Sequence, residues 1–187
     1  RKVYIRSDLK DIARPFMQDL MEKIGESVFL GVSNGDRVTI LDLVESMNDL
    51  KITAPVGTTI PLLAGAIGKV FLAHMAADKA IQLLNQTDLV KYTEHSIVTP
   101  ETYLKEVSKA RQDGYAIDDE EYIPGVRAVA APVGNAKSLM AAIWVVGFKP
   151  SMNGNKIKGL VVATREAAKA ISHRIDSMQR NGHDIKA

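Results

Sequence analysis

VRAVAAPV at residues 126–133 and LMAAIWVVGF at residues 139–148 are two apolar runs joined by the polar link from Asn135 to Ser138. Each has the length of a strand, and each is apolar on both of its alternating faces. Such strands are central in a sheet and covered on each side, so this sheet is expected to be sandwiched or to carry a pocket over one face. Upstream, SVFLGVS and RVTILDLVE flank Asn34-Gly35, a dipeptide that accepts the positive φ angles of a type I′ hairpin turn, with Asp36 open to extend the loop.

Helices account for most of the rest. Leu9, Ile12, Ala13, Phe16, Met17, Leu20, Met21 and Ile24 recur at three- and four-residue steps and predict an amphipathic helix over 8–24, capped by Ser7 or Asp8. Beyond the breaks at Gly57 and Pro61, the spacing of Leu63, Ala66, Ile67, Val70, Phe71 and Ala73 predicts a short, mostly apolar helix over 64–76. Asp78 is placed to cap a helix carrying Ile81, Leu83 and Leu84, and Thr99-Pro100 opens another that ends at Gly114. Asp118 to Pro124 reads as acidic and irregular. Residues 156–180 predict a long helix with Leu160, Ala163, Ala167, Ile171, Ile175 and Met178 inward, ending near Asn181-Gly182. The order of elements indicates an α+β domain with a mainly antiparallel sheet.

With 187 residues, 46% of them hydrophobic, the chain can bury one substantial core, and 1–187 is read as one domain. The 24 Lys and Arg against 22 Asp and Glu give a net charge of +2, too little for this segment to hold duplex DNA by itself. The absence of cysteine excludes disulfides, thiolate nucleophiles and cysteine-based metal sites, and suits a cytoplasmic location. No apolar run approaches the roughly 18 residues of a membrane span, so no membrane association is expected. The start at Arg1, without an initiator methionine, reads as a piece of a longer chain.

Catalytic signatures are sparse. Gly65-Ala66-Ile67-Gly68-Lys69 has the wrong spacing for a phosphate-binding loop, and Val70 stands where a magnesium-binding hydroxyl would be. His74 and Asp78, one helical turn apart, could share a metal, but such pairs are usually solvated surface. Asp118, Asp119, Glu120 and Glu121 could pair carboxylates for metal or acid–base work, although the ordinary reading is a solvated loop. Trp144, the single tryptophan, is on composition alone a core aromatic. No cofactor and no enzymatic activity are expected.

Three ordered segments give a more specific signal. GTTIPLLAGAIGKVFLA at 57–73, IGESVFLGV at 24–32 and TYLKEVSKARQDGYAIDDEEYIPGVRAVAAPV at 102–133 resemble the effector domain of the IclR family of bacterial transcription regulators, over residues 9–180. The resemblance implies a GAF-like fold: a curved, mainly antiparallel sheet with helices on one face and a small-molecule pocket on the other. It also implies a homodimer or homotetramer, and operator DNA contact through an N-terminal winged helix-turn-helix domain that this chain lacks.

Carried over position by position, the family's pocket wall falls on Ala66 and Ile67 at the small-residue turn, on Asp118, and on Val126 and Ala128 of the following strand. Residues 126 and 128 share one strand face, as do Trp144 and Val146 on the next. Free amides where a helix opens at Ala66 and Ile67 favour an anionic group such as a carboxylate. Members that sense hydrophilic acids carry hydroxyl-bearing residues where this chain has Trp144 and Val146. The joining turn is one residue shorter here, so Val145 is the alternative at either place. Small side chains at Ala66, Ala128 and Ala142 leave room, and the wall is apolar, so the expected effector is a small organic acid, aromatic ones included. The rival classes are an enzyme on the same fold without cysteine chemistry and a pure oligomerisation module, since fold alone does not decide function.

Overall fold

Both apolar runs form the long strands expected of them, at the heart of a six-stranded antiparallel sheet. In the computed structural model, which describes residues 2–135 and 138–184 and the side chains of 9–134 and 141–180, the strands are β1 (Ser27–Asn34), β2 (Arg37–Val44), β3 (Thr59–Pro61), β4 (Ala116–Asp119), β5 (Val126–Asn135) and β6 (Ser138–Phe148). The helices are α1 (Lys2–Ile24), α2 (Gly65–Ala73), α3 (Ala77–Gln86), α4 (Pro100–Asp113) and α5 (Gly154–Asp184). Strand order is β3-β2-β1-β6-β5-β4. Among the described residues, no helix is long and apolar enough to cross a membrane.

Alternation along each strand divides the core in two. Val28, Leu30, Val129, Ala131, Ile143 and Val145 face α1 and α5. Phe29, Ile40, Ala128, Ala130, Trp144 and Val146 face the opposite way, onto a second core shared with α2 and α4. Each fully buried Leu, Ile, Val or Phe contributes about 1.5–3 kcal/mol, so the sheet is held from both sides. A bulge interrupts the β1–β2 pairing: Leu30 pairs with Asp42 and Gly31 with Ile40, leaving Leu41 extra. The shift turns Asp42 toward α1, where Arg14 Nη1 donates to both of its carboxylate oxygens at 2.7 and 2.8 Å.

Several local expectations change. The β1–β2 pairing closes at Asn34 and Arg37, so the central pair is Gly35-Asp36 rather than Asn34-Gly35. Only Gly35 has positive φ (65°), as a type II′ turn requires in place of type I′. Helix α1 begins at Lys2, ahead of the predicted 8. Asp78 lies in the first turn of α3 and does not cap it; Ala76 is the cap position and makes no side-chain bond. On that helix Ala80 and Leu84 are buried while Ile81 is exposed, and on α5 Met178 is exposed rather than inward. Thr99 caps α4 by accepting from the Thr102 amide, and Gly114 ends it in the left-handed conformation. Strands β3 and β4 are not legible in the sequence pattern; the second occupies the start of the supposedly irregular acidic stretch.

Helix α2 is the most buried element. Every residue from Gly65 to Ala73 is buried, Lys69 included. Arg111 of α4 ties down its far end, donating from Nε to the Ala73 carbonyl at 2.8 Å and from Nη2 to that of Met75 at 3.1 Å. The apolar surface of α2 is therefore used up within the chain, and it supplies no reason for a second subunit.

Candidate functional site

On the α2 side of the sheet a cavity of about 140 Å³ remains. It reaches the scale of the roughly 150 Å³ apolar cavity that accepts one benzene. Strand register explains its floor. Asp118 on β4, Ala128 on β5 and Val146 on β6 lie directly opposite one another in one row, and Phe29 on β1 and Trp144 on β6 are partners in another. Val126 adds to the floor, and Ala66 and Ile67 close the cavity from the first turn of α2. All seven wall residues expected from sequence thus border one space, whereas Ala142, expected to leave room beside them, is packed in the core and does not line it. Val145, the alternative to Trp144 or Val146, points to the other face among the α1–α5 core residues.

Sequence reasoning missed other parts of the wall. Phe29 and Ile40 come from the β1–β2 hairpin, and their strand parity would have found them once the pocket face was known. Ile52, Thr53 and Ala54 come from the non-helical link between β2 and β3, where no periodicity marks them. Tyr122 and Ile123 come from the turn after β4. The Tyr122 ring is held edge-on by Tyr92, with centroids 4.9 Å apart at 89°.

The acidic cluster is ordered rather than a solvated loop, and its carboxylates go in different directions. Asp119 is bound by Arg127 Nε at 2.6 Å. Glu120, the one described non-glycine residue with positive φ (62°), accepts from the Gly125 amide at 2.9 Å and pairs with Lys149. Glu121 pairs at 2.6 Å with Lys69 Nζ, which also donates to the Ile117 carbonyl at 2.8 Å. Thr93 and Ser96 hydroxyls fix the turn from outside by donating to the carbonyls of Glu120 and Glu121 at 2.6 and 2.7 Å. Only Asp118 of the four borders the cavity.

The Asp118 side chain is buried, and its Oδ1 accepts from the Glu121 amide at 2.6 Å. Burial pushes its carboxyl up to about 6; the neighbouring Glu121 adds to the rise, while backbone donors and Lys69 oppose it. Burial likewise raises Glu121 despite its ion pair with Lys69. Asp118 also packs against the start of α2: a Cβ on Gly65, whose φ is +64°, would lie 2.3 Å from Asp118 Oδ2. Only glycine both adopts that backbone conformation and leaves that space. Ala64, the cap position of α2, makes no side-chain bond to the first-turn amides.

A larger cavity, about 230 Å³, is lined by Asp36, Arg37, Leu83, Asp88 and Tyr92 among others, and none of the wall residues expected from sequence borders it. His74 is exposed, and its Nδ1 lies 2.9 Å from the Val70 carbonyl of its own helix. Among the described residues, no group of His, Asp and Glu is placed to hold a metal ion. What the site offers is an apolar slot with one buried carboxylate and one helix start on its wall.

The family described as bacterial transcriptional regulator IclR, C-terminal, matches residues 2–173. The chain is 34% identical over 168 residues to the HTH-type transcriptional regulator BhcR of Paracoccus denitrificans, covering 89% of this chain and 60% of that protein. It is 30% identical to the HTH-type transcriptional repressor AllR of Escherichia coli K12, covering 88% and 61%. Among solved structures it is similar to the IclR of Thermotoga maritima, with a TM-score of 0.85 and 26% identity, covering 91% of this chain and 70% of that one. The chain therefore spans about 60% of the length of these curated relatives.

Proposed function

The chain belongs to the IclR family of bacterial transcriptional regulators, matching its C-terminal part, and from that premise we propose that it is the effector-sensing and self-associating domain of such a regulator, binding a small, mostly apolar organic acid, aromatic acids included. In the whole protein, operator contact belongs to an N-terminal winged helix-turn-helix domain. The observation that carries this reading is the cavity itself: small residues at Ala64, Ala66 and Ala128 leave the space, and Phe29, Trp144, Val126 and Val146 give it apolar walls. The ligand carboxylate is assigned to the Ala66 and Ile67 amides, where the helix start supplies donors and positive potential.

Asp118 sharpens that assignment. Ionised, it would repel a second carboxylate; protonated, it would donate to one. Binding of an acid should therefore strengthen as pH falls toward the Asp118 value of about 6. A second reading follows from the same buried carboxylate, namely a polar ligand whose hydroxyl donates to ionised Asp118, with affinity falling at low pH. Trp144 is the single tryptophan, so its fluorescence reports occupancy directly. Titrating benzoate at pH 6 and pH 8 is expected to change the Trp144 signal at both, more tightly at pH 6. An unchanged signal with aromatic acids, together with tight binding of a hydroxylated acid favoured at pH 8, selects the second reading.

A further inference from the structure

Gly31 lies on β1 near the Phe29–Trp144 cross-strand pair and is not part of the cavity wall, because the Trp144 ring covers it. A Cβ at this position would meet Trp144 Cη2 and Cζ3 at 2.9 Å each and the Thr39 carbonyl oxygen at 3.0 Å. Carbon atoms in normal contact sit about 3.5–4.0 Å apart. The benzo edge of the indole therefore occupies the volume that any side chain at residue 31 would take. Beside it the Phe29 ring is stacked with centroids 5.3 Å apart and planes 14° from parallel, so the indole can yield neither onto the strand nor toward Phe29. On another side the indole borders the cavity.

We propose that Gly31 is a positioning residue for ligand selectivity: by letting Trp144 sink onto β1, it gives the cavity the depth of one planar six-membered ring. The inference rests on the reading that this cavity takes a small organic acid. A methyl group at residue 31 forces the indole to retreat by roughly half an ångström or more to regain normal contact. In a cavity of about 140 Å³, that advance of one broad wall removes the room for an aromatic ring but not for a short aliphatic chain.

The test is calorimetry with benzoate, cyclohexanecarboxylate and butanoate. The unmodified chain is expected to bind benzoate at least tenfold more tightly than the thicker, puckered cyclohexanecarboxylate. Gly31→Ala should weaken benzoate tenfold or more while changing butanoate less than threefold, so the ratio of the two affinities collapses. Adding Trp144→Phe to Gly31→Ala should return benzoate to within threefold of Trp144→Phe alone, because the smaller ring makes room for the methyl group. A general loss of stability would weaken both acids alike and would not be rescued this way. If Gly31→Ala does not fold, the planar-versus-puckered ratio and its relaxation in Trp144→Phe decide the matter. Benzoate binding with an unchanged benzoate-to-butanoate ratio in folded Gly31→Ala, or no planar preference, overturns this inference alone. Binding of none of the acids at millimolar concentration overturns the organic-acid reading and this inference with it.

Discussion

At the scale of single residues, Asp118 carries the clearest thermodynamic consequence. Its carboxyl lies at about 6 in the fold against 3.8 for an unburied group. An acid raised on folding favours the native state fully only below its unfolded value, and that advantage disappears as pH rises through the folded value. The cost therefore accumulates between about pH 4 and pH 6 and persists above, on the order of 1–3 kcal/mol by linkage. Asp118→Asn retains an oxygen to accept from the Glu121 amide and removes the ionisation. Urea denaturation should find the variant more stable than the parent by about 1–3 kcal/mol at pH 8, with the difference closing below about pH 4. Parallel stability curves for the two proteins across this range would contradict the assignment. Asp118 also marks where the sequence reading stopped short. Its place on the pocket wall came from resemblance, but its burial and the separate partners of Asp119, Glu120 and Glu121 did not, because four adjacent acids give no local sign of which ones face inward.

Elements were legible where their hydrophobic period is long and regular. β1, β2, β5, β6, α4 and α5 follow from alternation, helical spacing, the Thr99 cap and the Gly114 stop, all of which act locally. β3 and β4 have three and four residues and depend on neighbouring strands for their hydrogen bonds, so no periodicity could announce them. The hairpin turn type was misread because register is set by the pairing of both strands, not by one favourable dipeptide. Helix α2 shows the same dependence on tertiary context. Its apolar residues are buried by α4 and the sheet, and the Lys69 ammonium docks it to the β4 turn through Glu121 and Ile117. Lys69→Met keeps the aliphatic stem and leaves the Glu121 carboxylate, on a side chain only 16% exposed, without its cation. The cost is expected to be about 3 kcal/mol, the usual scale for breaking a buried ion pair from one side. A midpoint in denaturant within error of the parent would contradict it.

For the whole molecule, the self-association proposed above would have to use surfaces other than α2. Met47, Leu50 and Val56, exposed on the link that also forms the cavity wall, and Ile123 of the wall itself are exposed apolar residues beside the site. Sedimentation at tens of micromolar is expected to give a dimer or larger species, and Met47→Asp with Leu50→Asp to shift it toward monomer. A parent chain that sediments as a monomer would refute self-association of this domain by itself. The strand order has a kinetic consequence as well. β1 and β6 lie side by side at the centre of the sheet, joining residue 29 to residue 144. Everything from β2 to β5 is a loop that must close before that central pairing can form, and non-local pairing of this kind slows folding. The cavity straddles the same seam, with Phe29 and Ile40 on one side and Asp118, Ala128 and Trp144 on the other. Its occupant would act as a clasp on that joint, lengthening the lifetime of the folded chain by holding together two halves that the backbone connects only at a distance.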